Sequence, residues 1–131
     1  MASRGTVNRL GVVTTSEYSP VDGGTFLNAT ELTGNNGNHG LPDYSHTTPN
    51  RIYVKTDIKG FREMRIYGDD GKVTLEIGYH PEKNLSSDGQ RVLHYHIYDS
   101  NLNRTIAKPM TKEVYNKYKD YLNHWGIYWY E

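Results

Sequence analysis

Residues 61–80 read FREMRIYGDDGKVTLEIGYH, and this stretch predicts the element around which the rest of the fold is arranged. Apolar and polar side chains alternate on both sides of Asp70-Gly71, which is typical of two antiparallel strands joined by a tight turn. With Asp70 and Gly71 as the two loop residues of a type I′ turn, apolar side chains face apolar ones and opposite charges meet. The predicted pairs are Tyr67 with Thr74, Ile66 with Leu75, Arg65 with Glu76, and Met64 with Ile77.

Two further segments alternate in the same way, one on each side of this hairpin along the chain. Residues 51–57 place Ile52 and Val54 on one side, and residues 91–98 place hydrophobic and polar side chains on opposite sides. Strict alternation of this kind predicts half-buried strands. Together with the hairpin they make an antiparallel sheet of about four strands.

A helix is predicted near the C-terminus, over residues 111–125. Thr111 is a good N-cap residue and Gly126 is a natural stop, and apolar side chains recur between them at helical spacing. The apolar stripe of this helix needs a partner, and one face of the sheet offers it. The fold class we predict is therefore α+β, with the C-terminal helix packed on one face of the sheet.

The 131 residues have the length of a single domain, which we assign to residues 1–131. Residues 1–45 are rich in Gly, Asn, Thr and Ser, so we expect a loop-rich N-terminal part with one helical turn at residues 28–32. The sheet then occupies residues 51–98 and the helix residues 111–125.

Composition excludes several classes of protein. The 15 Lys and Arg balance the 15 Asp and Glu, which argues against a strongly basic nucleic-acid coat protein. The sequence has no Cys, so disulfides, thiolate nucleophiles and Cys-type zinc sites are excluded. No apolar run approaches the roughly 20 residues of a membrane span, and the first nine residues have no hydrophobic stretch typical of a signal peptide. We therefore expect no membrane partner.

The same alternation assigns a polar face to the predicted sheet. Because residues i and i+2 of a strand project to the same side, His94 and His96 point together, and His80 shares their face. Three of the six histidines thus collect on one surface beside cations, carboxylates and tyrosines, which is the composition of an acid–base site. The face comprises Arg51, Tyr53, Lys55, Glu63, Arg65, Glu76, His80, His94, His96 and Tyr98.

Three interpretations of this face compete. The first is RNA cleavage without a metal, which needs a base, an acid and cations that stabilise the charge on the phosphorus centre. The second is a metal site, because three neutral imidazoles can hold Zn²⁺. The third is a solvated sheet face whose histidines and tyrosines bind another protein or have no function.

The sequence pattern favours RNA cleavage without a cofactor. His94 and His96 would share the base and acid roles, with His80 as the third catalytic histidine. A three-histidine metal site normally has carboxylate partners, and the face carries more cations than carboxylates. Zinc held by the same three histidines is the alternative. The residues assigned to substrate binding are Arg51, Lys55 and Arg65 for phosphate, Tyr98 for orienting an imidazole, and His46 in a supporting role.

The motifs at residues 61–71, 76–81 and 94–98 carry a resemblance to a known group of domains. A strand ending in Arg-x-Tyr, an Asp-Gly turn, a strand ending in His and a later His-x-His resemble the small C-terminal toxin domains of bacterial polymorphic toxins. Similar domains are attached to phage head-morphogenesis proteins in Gram-positive prophages. The resemblance covers roughly residues 40–100.

This resemblance implies RNase activity in the cytoplasm of the producing or target bacterium. It implies His80, His94 and His96 as catalytic candidates and Arg65 as a phosphate clamp or a structural pair. The expected partners are an RNA substrate and an immunity protein or a phage or host protein. The alternative from a different class is a non-catalytic phage or host interaction module with the same fold.

Overall fold

A computed structural model of the chain describes residues 18–34, 41–45 and 51–129. These residues form one sheet of seven strands in chain order, followed by a helix. The α+β class is confirmed, but about four strands was too few. The elements are β1 (Tyr18–Phe26), β2 (Ala29–Gly34), β3 (Ile52–Asp57), β4 (Gly60–Tyr67), β5 (Val73–Pro81), β6 (Arg91–Ile97), β7 (Lys108–Pro109) and α1 (Lys112–His124).

The β4–β5 hairpin has the predicted register over most of its length. Arg65 lies opposite Glu76, and the pairs Ile66 with Leu75 and Met64 with Ile77 are also confirmed. The turn differs from the predicted two-residue loop. The amide of Gly71 donates to the carbonyl of Gly68, and within the turn only Gly71 has a positive φ, +80°. A three-residue loop of this kind ends in a left-handed glycine and introduces a bulge. Tyr67 therefore pairs with Val73 and not with Thr74.

The N-terminal part contains two strands that the sequence pattern did not predict. β1 and β2 form an antiparallel hairpin whose register shifts between Pro20 and Thr25, and β2 then pairs in parallel with β3. The helical turn expected at residues 28–32 is wrong, because β2 begins at Ala29. Parallel pairing joins segments that are distant in the chain, so no local turn signal announces it.

The C-terminal helix lies where it was predicted. The hydroxyl of Thr111 accepts a hydrogen bond from the amide of Val114 at 3.2 Å, which caps the first turn. Gly126 follows the last turn with φ +91°, and its amide donates to the carbonyl of Asn123. Within the described part of the chain, no helix is long and apolar enough to cross a membrane.

The main hydrophobic core lies between α1 and one face of the sheet. It contains five side chains that alternation placed on the apolar face, together with Ala29, Phe61 and, from the helix, Tyr115 and Leu122. Trp125 and Trp129 pack against it. The buried sheet residues of this core are Ala29, Ile52, Val54, Phe61, Met64, Ile66 and Ile77.

A second, smaller core covers part of the opposite face. Tyr53 of β3 and Tyr67 of β4 are buried there, with ring centroids 5.1 Å apart. Leu41 packs on them from the segment 41–45, and Tyr18, Leu32 and Val73 complete the cluster. The face predicted to be polar is therefore divided into an aromatic region under this segment and a histidine region on β5 and β6.

Candidate functional site

The register of β5 and β6 brings the three predicted histidines together. Gly78 lies opposite His94, Glu76 opposite His96, and His80 opposite Val92. The ring centroids of His80 and His94 are 4.7 Å apart, and those of His94 and His96 are 5.4 Å apart. Neighbouring rings stand nearly perpendicular, at 87° and 89°. We call these three side chains the histidine cluster.

Gly78 makes room for this cluster. A methyl group at this position would lie 2.9 Å from Nε2 of His94 and 3.0 Å from Nε2 of His80. The two nitrogens therefore occupy the space that any larger residue would fill. A glycine within a strand often marks such a close approach.

Backbone carbonyls fix the orientation of all three imidazoles. Nδ1 of His80 lies 2.9 Å from the carbonyl oxygen of Pro81, and Nδ1 of His94 lies 2.7 Å from that of Val92. Nδ1 of His96 lies 2.8 Å from the carbonyl oxygen of Thr105. A carbonyl only accepts, so Nδ1 must carry the proton and Nε2 carries the lone pair in each neutral ring.

His94 is the central member and is fully buried. Its Nε2 has no hydrogen-bond partner within the described ranges. Burial lowers the pKa of His94, and the neighbouring His80 and His96 lower it further. The ring is therefore neutral at pH 7, with a lone pair directed into the cluster.

Glu82 supplies a carboxylate to the same region. Potential ligand atoms of Glu82, His94 and His96 all lie within 4.8 Å of one another. The carboxylate accepts a hydrogen bond from the amide of Asn84, which is the main reason why its pKa is lowered. The neighbouring His94, His96 and His80 lower this pKa further. Glu82 therefore remains charged beside the histidine cluster.

Arg65 belongs to a different cluster on the same face. Its Nε donates to Glu76 Oε2 at 2.6 Å, one terminal nitrogen to Asp43 Oδ1 at 2.7 Å and the other to the Tyr98 hydroxyl at 3.3 Å. The carbonyls of Leu41 and Pro42 also accept from it. All three nitrogens are occupied, so Arg65 is a structural pair for Glu76, and its position gives no support to phosphate binding. We call these contacts the arginine cluster.

The other residues assigned to substrate binding lie apart from the histidines. Arg51 donates to the hydroxyl of Thr30 at 3.0 Å, and Lys55 lies on β3. Strand β3 is separated from β6 by β4 and β5, a distance of about 14 Å at ordinary strand spacing. Tyr98 contacts Arg65 and so belongs to the arginine cluster. His46 lies outside the described residues.

Glu63 is a buried carboxyl between the two clusters. It lies opposite Gly78 in the β4–β5 register and is 8% exposed, and its Oε1 has no hydrogen-bond partner in the part of the chain that the structure describes. Burial and the charge of Glu76 raise its pKa to about 7, although Arg65, Arg62 and Lys55 act in the opposite direction.

Two residues of the histidine region, Gly78 and Glu82, were not predicted as site residues from the sequence. Gly78, His80 and Glu82 are spaced two residues apart, so alternation alone would have placed them on one face. Glu82 was overlooked because Pro81 ends the strand. Arg104, the second partner of Glu76 at 3.4 Å, follows β6 in an irregular segment and carries no such signal.

A scan of family models found none that matches this chain, and searches of curated proteins and of solved structures found no match either. The function is therefore argued from the chain's own residues.

Proposed function

We propose that this chain binds one divalent transition metal ion, with Zn²⁺ as the expected ion, through His80, His94, His96 and Glu82. One observation carries the proposal. All three imidazoles have Nδ1 held by a backbone carbonyl, which leaves the Nε2 lone pairs available beside a charged carboxylate.

The donor set favours zinc over the hard cations. Imidazole nitrogen and carboxylate oxygen are ordinary zinc ligands, whereas Ca²⁺ and Mg²⁺ prefer oxygen ligands throughout. Glu82, His94 and His96 bring three such groups within 4.8 Å of one another. His80, whose Nε2 lies 3.0 Å from the position of a Gly78 methyl group, as that of His94 lies 2.9 Å from it, would supply the fourth group after a shift of its ring.

The hydrogen bonds behind the rings also suit a metal site. Histidines that bind metals usually donate their other ring N–H to a carboxylate, a backbone carbonyl or water. The sequence argued against a metal site because the predicted polar face carries more cations than carboxylates. The contacts of the three Nδ1 atoms with the carbonyls of Pro81, Val92 and Thr105 support the proposal.

Metal binding is tested by calorimetric titration of EDTA-treated protein with Zn²⁺, together with the visible absorption spectrum of the Co²⁺ form. We expect one ion per chain, and at least about tenfold weaker binding in Glu82→Gln and His96→Asn. His124→Asn is the matched control, because His124 stacks on Phe26, a residue of β1, and not in the cluster. Equal affinity in all four proteins, or no saturable binding, contradicts the proposal.

A second candidate function is RNA cleavage without a metal, as the toxin resemblance implies. The convergence of His80 and His94 over Gly78 favours it, because a general acid and a general base must reach the same site. Cleavage of total RNA that persists in EDTA and is lost in a His94→Asn/His96→Asn double variant would support this function. Cleavage that requires added Zn²⁺ would assign the histidines to metal binding instead.

A further inference from the structure

A cavity of about 480 Å³ lies on the opposite side of the sheet from the histidine cluster, beside the C-terminal end of α1. Tyr79 and Leu93 line it, and they alternate with His80 and His94 along β5 and β6. The two sites are therefore back to back across the sheet and share no lining residue. The cavity is lined by Lys59, Gly60, Phe61, Tyr79, Arg91, Leu93, Trp125, Gly126, Ile127 and Tyr128.

Most of the wall is aromatic or aliphatic. Phe61 is part of the main core, while Trp125 and Ile127 pack against its edge. Tyr128 lines the cavity and is 51% exposed. The volume lies within the range of about 300–1,000 Å³ found for small-molecule sites, which are typically apolar with a few polar groups.

Two of the lining residues carry a net charge, Arg91 and Lys59, and both are cations. The guanidinium of Arg91 lies 4.5 Å from the ring centroid of Tyr79 and donates to the carbonyl of Lys59 at 3.4 Å. Lys59 lines the same cavity, and no acidic side chain is among its described lining residues. Two positive side chains thus line one largely apolar cavity, in a chain whose net charge is zero.

We propose that this cavity binds a small organic anion with a flat aromatic body. The aromatic walls would pack against the ring system of the ligand, and Arg91 and Lys59 would pair with its anionic group. Arginine suits such a group because its planar fork can make two parallel hydrogen bonds to a carboxylate or a phosphate. This inference is independent of the metal site.

The probe is naphthoate, and binding is followed by the chemical shifts of backbone amides around the cavity and by tryptophan fluorescence. Naphthalenemethanol has the same rings without the charge, and naphthyl phosphate replaces the carboxylate with a phosphate. We expect saturable binding of naphthoate with amide shifts at Leu93 and Gly126, and binding of naphthalenemethanol weaker by about tenfold. Comparison of the two anions identifies the preferred anionic group.

Arg91→Gln and Lys59→Gln test the charge, with Lys119→Gln on the exposed side of α1 as the matched control. Arg91→Gln should weaken naphthoate binding by about tenfold and leave naphthalenemethanol binding unchanged. Lys59 is exposed, so Lys59→Gln should fold normally. Because it lacks the positive charge, this variant should bind naphthoate more weakly. The proposal is overturned if naphthoate does not saturate, if the neutral compound binds equally well, or if Arg91→Gln and Lys119→Gln behave alike.

Discussion

The arginine cluster and the histidine cluster lie on the same face of the sheet and differ in one respect. Every nitrogen of Arg65 has a partner, and Glu76 accepts from Arg65 and Arg104. In the histidine cluster each Nδ1 is bonded, while the buried Nε2 of His94 has no partner among the described residues. Buried polar groups are normally satisfied, so an unsatisfied one calls for an explanation. A saturated cluster stabilises the fold, whereas free lone pairs held in fixed rings can bind a ligand.

The largest expected effect breaks the saturated cluster. Arg65→Ala leaves the carboxylate of Glu76 buried without its main partner, which should cost about 3–5 kcal/mol of unfolding free energy. Urea denaturation followed by circular dichroism measures this loss. Arg62→Ala is the control, because Arg62 pairs with Asp57 at 3.5 Å near the surface and should cost less than about 1 kcal/mol. Similar losses in the two variants would contradict a structural role for Arg65.

The second prediction concerns Glu63 and the pH dependence of the free energy of unfolding. Its folded pKa of about 7 lies above the usual 4.5, so the folded state holds the proton more tightly than the unfolded state. The contribution of Glu63 to stability is therefore fully present below pH 4.5 and is lost as pH rises towards 7. The total loss is roughly 3 kcal/mol at about 1.4 kcal/mol per pH unit.

Glu63→Gln removes this dependence. Relative to the unchanged protein, the variant should gain up to roughly 3 kcal/mol on going from pH 4.5 to pH 8. Urea denaturation at several pH values gives the difference curve, in which the titration of groups common to both proteins, such as His94, cancels. A flat difference curve would mean that the carboxyl of Glu63 titrates normally in the folded protein.

Gly78→Ala tests the histidine cluster by filling its space. The added methyl group would lie 2.9 Å from Nε2 of His94, so the rings must shift. Overpacking of this kind costs about 1–3 kcal/mol. We also expect Zn²⁺ affinity to fall by at least about tenfold in the calorimetric titration. Unchanged affinity in a folded variant would show that the position of His94 Nε2 does not matter for the ion.

Arg104→Gln should have the smallest effect. Arg104 lies 3.4 Å from Glu76, and its side chain is 55% exposed. Water screens such a pair, so the loss in urea denaturation should be below about 1 kcal/mol. A loss as large as that of Arg65→Ala would make Arg104 an equal partner of Glu76.

The strands and the helix differ in how far the sequence predicted them. The strands β3 to β6 and α1 were predicted because alternation, turn residues and caps are local signals. The pairs β1–β2 and β2–β3 were not, because their segment mixes Pro, Gly and Thr and its parallel partner is distant in the chain. The two-residue β7 is too short to show any period.

The sequence also predicted only part of the candidate site. The shared face of His80, His94 and His96 was predicted from alternation, whereas the pairing of β5 with β6, which brings the three rings together, is decided by the tertiary structure. The assignment of Arg65 to phosphate did not anticipate that the segment 41–45 would cover it and supply Asp43 and two carbonyls. Lys55 shares the face with the histidines but lies on β3, three strands away from β6, and Arg51 immediately precedes β3.

The sequence by itself determined which side chains share a face of the sheet, because the two-residue period of a strand is a property of the local backbone. The tertiary structure decided which of them are satisfied. Besides Glu76, the partners of Arg65 lie in the segment 41–45 and at Tyr98, more than twenty residues away. The ring of His96 is fixed by the carbonyl of Thr105, which lies outside its own strand. Whether a polar group is free depends on everything packed around it, and no local pattern contains that information.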